Sequence, residues 1–179
     1  KKDYKFDFSA TTVKKFSKYN NIVIIGMGGS ILGTKSIYSF LKKKISKEVF
    51  FFDNLDPNLF LAYKKIKNLK NTCFIVVSKS GNTFETITNL NIIFSKSLLK
   101  NKLVIITELK DSSLVNIGNK FKAEIIEHKN FISGRYSVLS EVGMFPAALM
   151  KLNITKFKNL KKLTQNKNFI SSLINSVSS

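Results

Sequence analysis

The 179-residue sequence is short of cysteine, arginine and acidic side chains. With Cys73 as the lone cysteine no intramolecular disulfide can form, which fits a reducing compartment. Long apolar runs are missing as well. Stretches such as 22–25 and 74–77 fall far short of the roughly 20 residues that a membrane-spanning helix needs. The N-terminus, Lys-Lys-Asp-Tyr-Lys-Phe, has no apolar h-region, so a signal peptide is not expected. It has no initiator Met either, so the chain reads as processed or as a segment of something longer.

The shortage of acids leaves 30 Lys+Arg against 11 Asp+Glu, a formal net charge of +19 at pH 7. Such a balance suggests a nucleic acid or an anionic membrane as partner. The type of base argues otherwise. Arg135 is the only arginine, and nucleic-acid readers favour arginine for bidentate contacts. Lys, Asn, Ile and Phe are all written with A/T-rich codons, so a biased genome produces this composition without selection for a polyanion. No aromatics interleaved with arginine and no recognition motif appear, so neither nucleic acid nor membrane is expected as a partner.

The chain does contain 44% hydrophobic residues, and its length suits one domain with a real core. Short runs rich in β-branched residues, at 22–25, 48–52, 73–78, 102–107 and 123–127, read as buried strands. Between them, 31–44, 58–69, 83–99, 112–121 and 137–151 read as helices, and 155–177 as one or two more. This alternation predicts an α/β three-layer sandwich around a five-stranded parallel sheet. Ligands of such sheets bind beyond the carboxyl ends of the strands, near a switch in strand order.

Three turns at those ends carry chemistry. The first strand ends in Gly26-Met27-Gly28-Gly29-Ser30, which permits close backbone approach to a ligand ahead of a helix. Gly26-x-Gly28 also resembles the start of a dinucleotide fingerprint, with Asp53 where a ribose-binding acid would sit. The third glycine of that pattern, however, is replaced by Ile31. The third strand ends in Ser78-Lys79-Ser80-Gly81-Asn82-Thr83, a phosphate cradle in composition and position. Helix capping alone would account for Thr83 or Asn82 but not for the whole cluster. The fifth strand is followed by Ser133-Gly134-Arg135-Tyr136-Ser137, where the one arginine suggests a task for a planar, permanently charged fork rather than a surface salt bridge.

In that order and spacing, these turns resemble the N-terminal sugar-isomerase (SIS) domain of the glucose-6-phosphate isomerase (phosphoglucose isomerase) family. Ser-x-Ser-Gly-x-Thr-x-Glu-Thr alone would mark any phosphosugar-binding SIS domain. Lys79, Ser-Gly-Arg-Tyr-Ser and Pro146-Ala147-Ala148-Leu149 narrow it to the isomerase. The resemblance implies a SIS-type, flavodoxin-like doubly wound fold. It divides the chain into a lead-in at 1–20, a SIS domain at 21–151 and a helical segment at 152–179 leading to a second SIS domain. It further implies a cytoplasmic enzyme of glycolysis and gluconeogenesis that interconverts glucose 6-phosphate and fructose 6-phosphate through a cis-enediol. That enzyme needs no cofactor or metal and acts as a homodimer with sites near the subunit interface.

By the same resemblance, Gly29 and Ser30 touch the sugar phosphate. Ser78, Ser80 and Thr83 hold the phosphate with the backbone of Lys79, Gly81 and Asn82, and Arg135 stands near the reacting carbons. The family's base glutamate, ring-opening histidine and late lysine fall beyond Ser179, so these residues alone are expected to bind weakly and turn over little. Ser133 stands where the family usually has a glycine, which puts substrate approach there in question. His128, the only histidine, does not match the family's and reads as a surface or packing residue. Glu85 and Glu141 read as supports of the site rather than as its base. A stand-alone SIS module that binds a phosphosugar for regulation is the alternative reading. Lys79 and Arg135 argue against it, since a pure binding loop has no evident need for both.

Overall fold

In Ile22-Val23-Ile24-Ile25, successive side chains point to opposite faces of a strand. Apolar residues at all four positions therefore demand cover on both faces. The structure, a computed structural model, describes residues 4–64, 66, 68–93, 101–159 and 164–178. It shows five strands: β1 (Asn21–Gly26), β2 (Glu48–Phe52), β3 (Thr72–Val77), β4 (Leu103–Thr107) and β5 (Glu124–Glu127). They pair in parallel in the order β2-β1-β3-β4-β5. Strand order thus reverses between β1 and β3, and the crevice for a ligand opens there.

The helices are α1 (Ala10–Ser17), α2 (Leu32–Leu41), α3 (Pro57–Lys64), α4 (Phe84–Ile93), α5 (Ser113–Phe121), α6 (Glu141–Leu149) and α7 (Lys167–Ser178). Ile22, Ile24, Ile75 and Val104 pack with Phe16 of α1 and Phe145 of α6 on one face. Val23, Ile25, Val76 and Ile105 pack with Tyr63 of α3, Leu90 of α4 and Leu114 of α5 on the other. Each fully buried side chain of this size stabilises the fold by roughly 1.5–3 kcal/mol. The result is the three-layer α/β sandwich expected from the strand–helix alternation. Among the described residues no helix is long and apolar enough to cross a membrane.

Several boundaries differ from expectation. Within 1–20, α1 is a capped helix: the Ser9 hydroxyl accepts from Thr12 N, and Phe16 is buried against the core. The helix expected over 31–44 runs only to Leu41 before a 3₁₀ turn at Lys42–Lys44. Residues 65, 67, 94–99 and 160–163 of the other expected helices lie outside the described residues. In place of one helix over 137–151 there is a 3₁₀ turn, Gly134–Leu139, and then α6 capped by the Ser140 hydroxyl. Pro146 sits inside α6 and has no N–H to offer the carbonyl of Val142. The Thr34 hydroxyl of α2 donates to that carbonyl instead at 3.0 Å, so the proline leaves no buried acceptor unpaired.

Candidate functional site

The turns after β1 and β3 flank the reversal of strand order. After β1 the chain turns through a short 3₁₀ segment, Gly28–Ser30, with Gly28 at φ +53°. Gly29 lies flat against another part of the chain. A Cβ built on it would stand 2.4 Å from the Gly134 carbonyl carbon and 2.6 Å from the Arg135 nitrogen. The buried Ser137 hydroxyl reinforces that contact by lying 2.6 Å from Gly134 O and 3.2 Å from Gly29 O, both acceptors for its proton. The segment after the edge strand β5 is thereby brought across the carboxyl end of the sheet to the β1 turn.

After β3, Ser78 is buried and its Oγ lies 2.7 Å from Thr83 Oγ1. The same Oγ accepts from Gly81 N at 3.2 Å, and Ser80 Oγ accepts from Asn82 N at 3.2 Å. Gly81 adopts φ +72°, which L side chains rarely adopt, and a Cβ there would fall 2.3 Å from Ser112 Oγ. Asn82 Oδ1 accepts from Ser113 N at 2.8 Å, tying the loop to the head of α5. Thr83 O receives Ile87 N, so Thr83 stands at the head of α4, where first-turn N–H groups and the positive end of the helix dipole favour an anion.

A cleft of about 320 Å³ opens over this loop, lined by Ser30, Lys79, Ser80, Thr83, Glu108 and Lys110. Lys79 turns its amine away from the loop, donating to Asn130 O at 2.8 Å and lying 3.6 Å from Glu108 Oε1. Lys110 Nζ pairs with Glu108 Oε2 at 2.6 Å. The hydrogen bond from Lys110 holds the Glu108 carboxyl below the usual carboxylate range, so it is an anion at neutral pH.

Gly29, Ser30, Ser78, Lys79, Ser80, Gly81, Asn82 and Thr83 are thus neighbours at one end of the sheet. Arg135 is exposed and forms no ion pair among the described residues, so a surface salt bridge does not explain it. Ser133 adopts φ −69° and ψ 144°, open to any residue, so it needs no glycine there. Asp53 pairs with Lys35 at 2.5 Å. Glu85 occupies the first turn of α4. Glu141 is fully buried and turned to the N-terminal segment, accepting from the Tyr4 hydroxyl and from Asp7 N. His128 is a buried residue at the end of β5 and lines no part of the cleft.

Glu108 and Lys110 escaped the motif-based reading. They directly follow the fourth apolar run, where the strand-end rule pointed, but Glu-Leu-Lys has no pattern of its own.

A family model described as phosphoglucose isomerase matches residues 6–175. The glucose-6-phosphate isomerase of Methanocaldococcus jannaschii is 32% identical over 177 residues, covering 94% of this chain and 43% of that protein. That of Borreliella burgdorferi strain ZS7 is 40% identical over 139 residues, covering 71% of this chain and 26% of its own length. The crystal structure of a glucose-6-phosphate isomerase from Chlamydia trachomatis superposes with a TM-score of 0.65 at 28% identity, over 79% of this chain and 30% of that one. A hypothetical protein from Thermus thermophilus shares the fold, with a TM-score of 0.72 at 24% identity over 80% of this chain and 37% of that one. The chain therefore spans less than half the length of the curated relatives it matches. Since the matched span takes in every turn that lines the cleft, the chain belongs to the phosphoglucose isomerase family.

Proposed function

We propose that these residues form the phosphosugar-binding part of an aldose–ketose isomerase acting on glucose 6-phosphate and fructose 6-phosphate. One observation carries the reading: a hydroxyl-lined loop at the head of α4 shares a cleft with Ser30 of the β1 turn, and the segment with the only arginine of the chain packs its backbone on Gly29 of that turn, beside the reversal of strand order.

The roles follow from chemistry. Ser78, Ser80 and Thr83 donate to the phosphate, with help from the loop backbone and the helix dipole. A phosphate gripped at one end of the sugar fixes the position of the carbons at the other. Isomerisation takes a proton from C2 of the aldose and returns one to C1 through a cis-enediol, with negative charge building on the substrate oxygen. The exposed Arg135, whose backbone packs on Gly29, is assigned to stabilise that charge. A lost donor of this type costs about 2.7–4 kcal/mol of barrier. No residue of these 179 is assigned the proton transfer; a glutamate in the part of the relatives' length beyond this chain is expected to perform it. The whole enzyme is expected to be a cytoplasmic homodimer with its sites near the subunit interface.

Calorimetry with fructose 6-phosphate tests the reading. Wild type should bind weakly, and a Ser78→Ala/Thr83→Ala variant should lose phosphate-dependent binding while staying folded. Unchanged affinity in that variant refutes the cradle. A coupled assay should find little or no turnover by these 179 residues alone, and robust turnover would place the base within them.

A further inference from the structure

The cleft over a phosphate loop holds a carboxylate, an unusual group to set facing a dianion. Glu108 is kept there by backbone hydrogen bonds: its N–H donates to Lys79 O at 3.1 Å, and Lys110 N donates to Glu108 O at 2.9 Å. Its side chain, 15% exposed, faces two lysines that are not equivalent: Lys110 Nζ donates to it at 2.6 Å, while Lys79 Nζ stands off at 3.6 Å as an ion pair. Lys79 has a second anchor in Asn130 O and is 32% exposed. Lys110 has Glu108 alone as its side-chain partner among the described residues and is 55% exposed. A lysine is a point charge on a flexible four-carbon stem, and an exposed pair of this kind is held weakly.

We infer that Lys110 is an additional phosphate-binding residue, parked on Glu108 in the free protein and transferred to the phosphate of a sugar-phosphate monoester on binding. The inference rests on the phosphosugar reading above and extends it to the turn after β4. With both lysines and Glu108 ionised, the free wall has one surplus positive charge. A phosphate dianion entering beside Ser80 and Thr83 offers Lys110 a stronger acceptor with two charges. Glu108 keeps Lys79 and is not left unpaired when Lys110 departs. The carboxylate thus opposes the bound phosphate while holding the lysine ready, and it is both competitor and positioning group. No bond is made or broken.

The two groups should therefore have opposite effects on binding, whereas a salt bridge that merely stiffens the turn would give the same effect from either side. Affinity is read by calorimetry with inorganic phosphate and with fructose 6-phosphate, at low and at 0.5 M salt. Lys110→Met should weaken both ligands about tenfold at low salt, the loss expected for one charge-assisted hydrogen bond. Lys110→Arg keeps the charge and should stay within about threefold of wild type. Glu108→Gln should tighten both ligands about threefold or more at low salt, with the gain shrinking at high salt. Lys110→Met added to Glu108→Gln should erase that gain.

Unchanged affinity in Lys110→Met, or weakening by both Lys110→Met and Glu108→Gln, overturns the inference. If wild type binds fructose 6-phosphate and Lys110→Met binds it equally well, this inference falls and the isomerase reading stands. If wild type binds inorganic phosphate but not fructose 6-phosphate, the isomerase reading falls while opposite effects on phosphate still support the parked lysine. If wild type binds neither, both fall.

Discussion

Gly29 and Arg135 meet through their backbones: a Cβ on Gly29 would lie 2.6 Å from the Arg135 nitrogen, with the Gly134 carbonyl closer still. The contact reaches across four of the five strands, since Arg135 follows the edge strand β5 and Gly29 follows β1. It brings the backbone of the segment after β5 to the turn that carries Ser30.

Gly29→Ala should break it. The added methyl has backbone on its far side, so the turn itself must move, and overpacking of this kind costs about 1–3 kcal/mol. We expect a lowered melting temperature and a more than tenfold loss of fructose 6-phosphate affinity, as a 1 Å shift of the turn displaces both Ser30 and Arg135. Gly28→Ala is the contrast. Its Cβ would meet nothing within 4 Å, so only the backbone penalty at φ +53° applies, about 1–2 kcal/mol. Equal losses of affinity in the two variants would show that the contact with Arg135 does not matter.

Ser78 and Thr83 separate stability from binding. Ser78 is 1% exposed and shares its oxygen between Thr83 and the Gly81 N–H, so Ser78→Ala unpairs groups inside the loop. It should lower stability by about 1 kcal/mol and phosphate affinity about tenfold. Thr83 is half-buried at the cleft, and Thr83→Ala should cost affinity with little change in melting temperature, while Thr83→Ser restores binding. Chemical denaturation beside calorimetry distinguishes the two.

What could be read from the residues, and what could not, follows the range of the interactions. The β-branched runs mark all five strands because a strand covered on both faces needs apolar side chains at successive positions. The 78–83 loop stands out in the sequence because its hydroxyls, glycine and helix start are consecutive. The join between Gly29 and Arg135 is not local, and neither residue's neighbours announce it. The break between the Gly134–Leu139 turn and α6 was hidden because Ser140 competes for the backbone as a cap within an apolar, helix-compatible stretch. The α1 helix was missed although Ser9 ahead of Val13 and Phe16 is a capped amphipathic start. Nothing in Glu-Leu-Lys distinguishes Lys110 from other lysines in this chain.

His128 should give the fold a dependence on pH. It is 1% exposed, with Nδ1 3.2 Å from Lys129 O and Nε2 without a partner among the described residues. Burial pushes the imidazole below its ordinary 6.5, with Lys79 acting in the same direction and the Lys129 carbonyl, Glu141 and Glu108 opposing. The folded state thus binds this proton less readily than the unfolded one. Stability is intact above about pH 6.5 and falls as pH drops below it, until the imidazole protonates within the fold. His128→Phe removes the titrating group at similar size, and its melting temperature should change less between pH 7.5 and 5.5 than that of wild type. Parallel profiles would assign the acid sensitivity to another group. Glu108, held below the carboxylate range, loses its charge only in a more acidic window.

Lys47 tests whether the two ends of the sheet are independent. It lies just before β2, at the end of the strands away from the cleft, and is 7% exposed. Its amine donates to Ser17 O at 2.8 Å and Tyr19 O at 2.7 Å, closing the C-terminal end of α1 against the core. Burial pushes this ammonium below the usual lysine range, yet the two carbonyls would be left without their donor if it were removed. Lys47→Met keeps the stem and deletes both bonds, so it should lower stability by about 2–4 kcal/mol, with chemical denaturation as the measure. Lys47→Arg should recover only part of this, because the broader guanidinium does not fit a site shaped for a point charge. Phosphosugar affinity, measured where both variants are folded, should stay within about twofold of wild type, since no residue lining the cleft touches this end. A loss of affinity to match the loss of stability would show that α1 and the cleft form one cooperative unit.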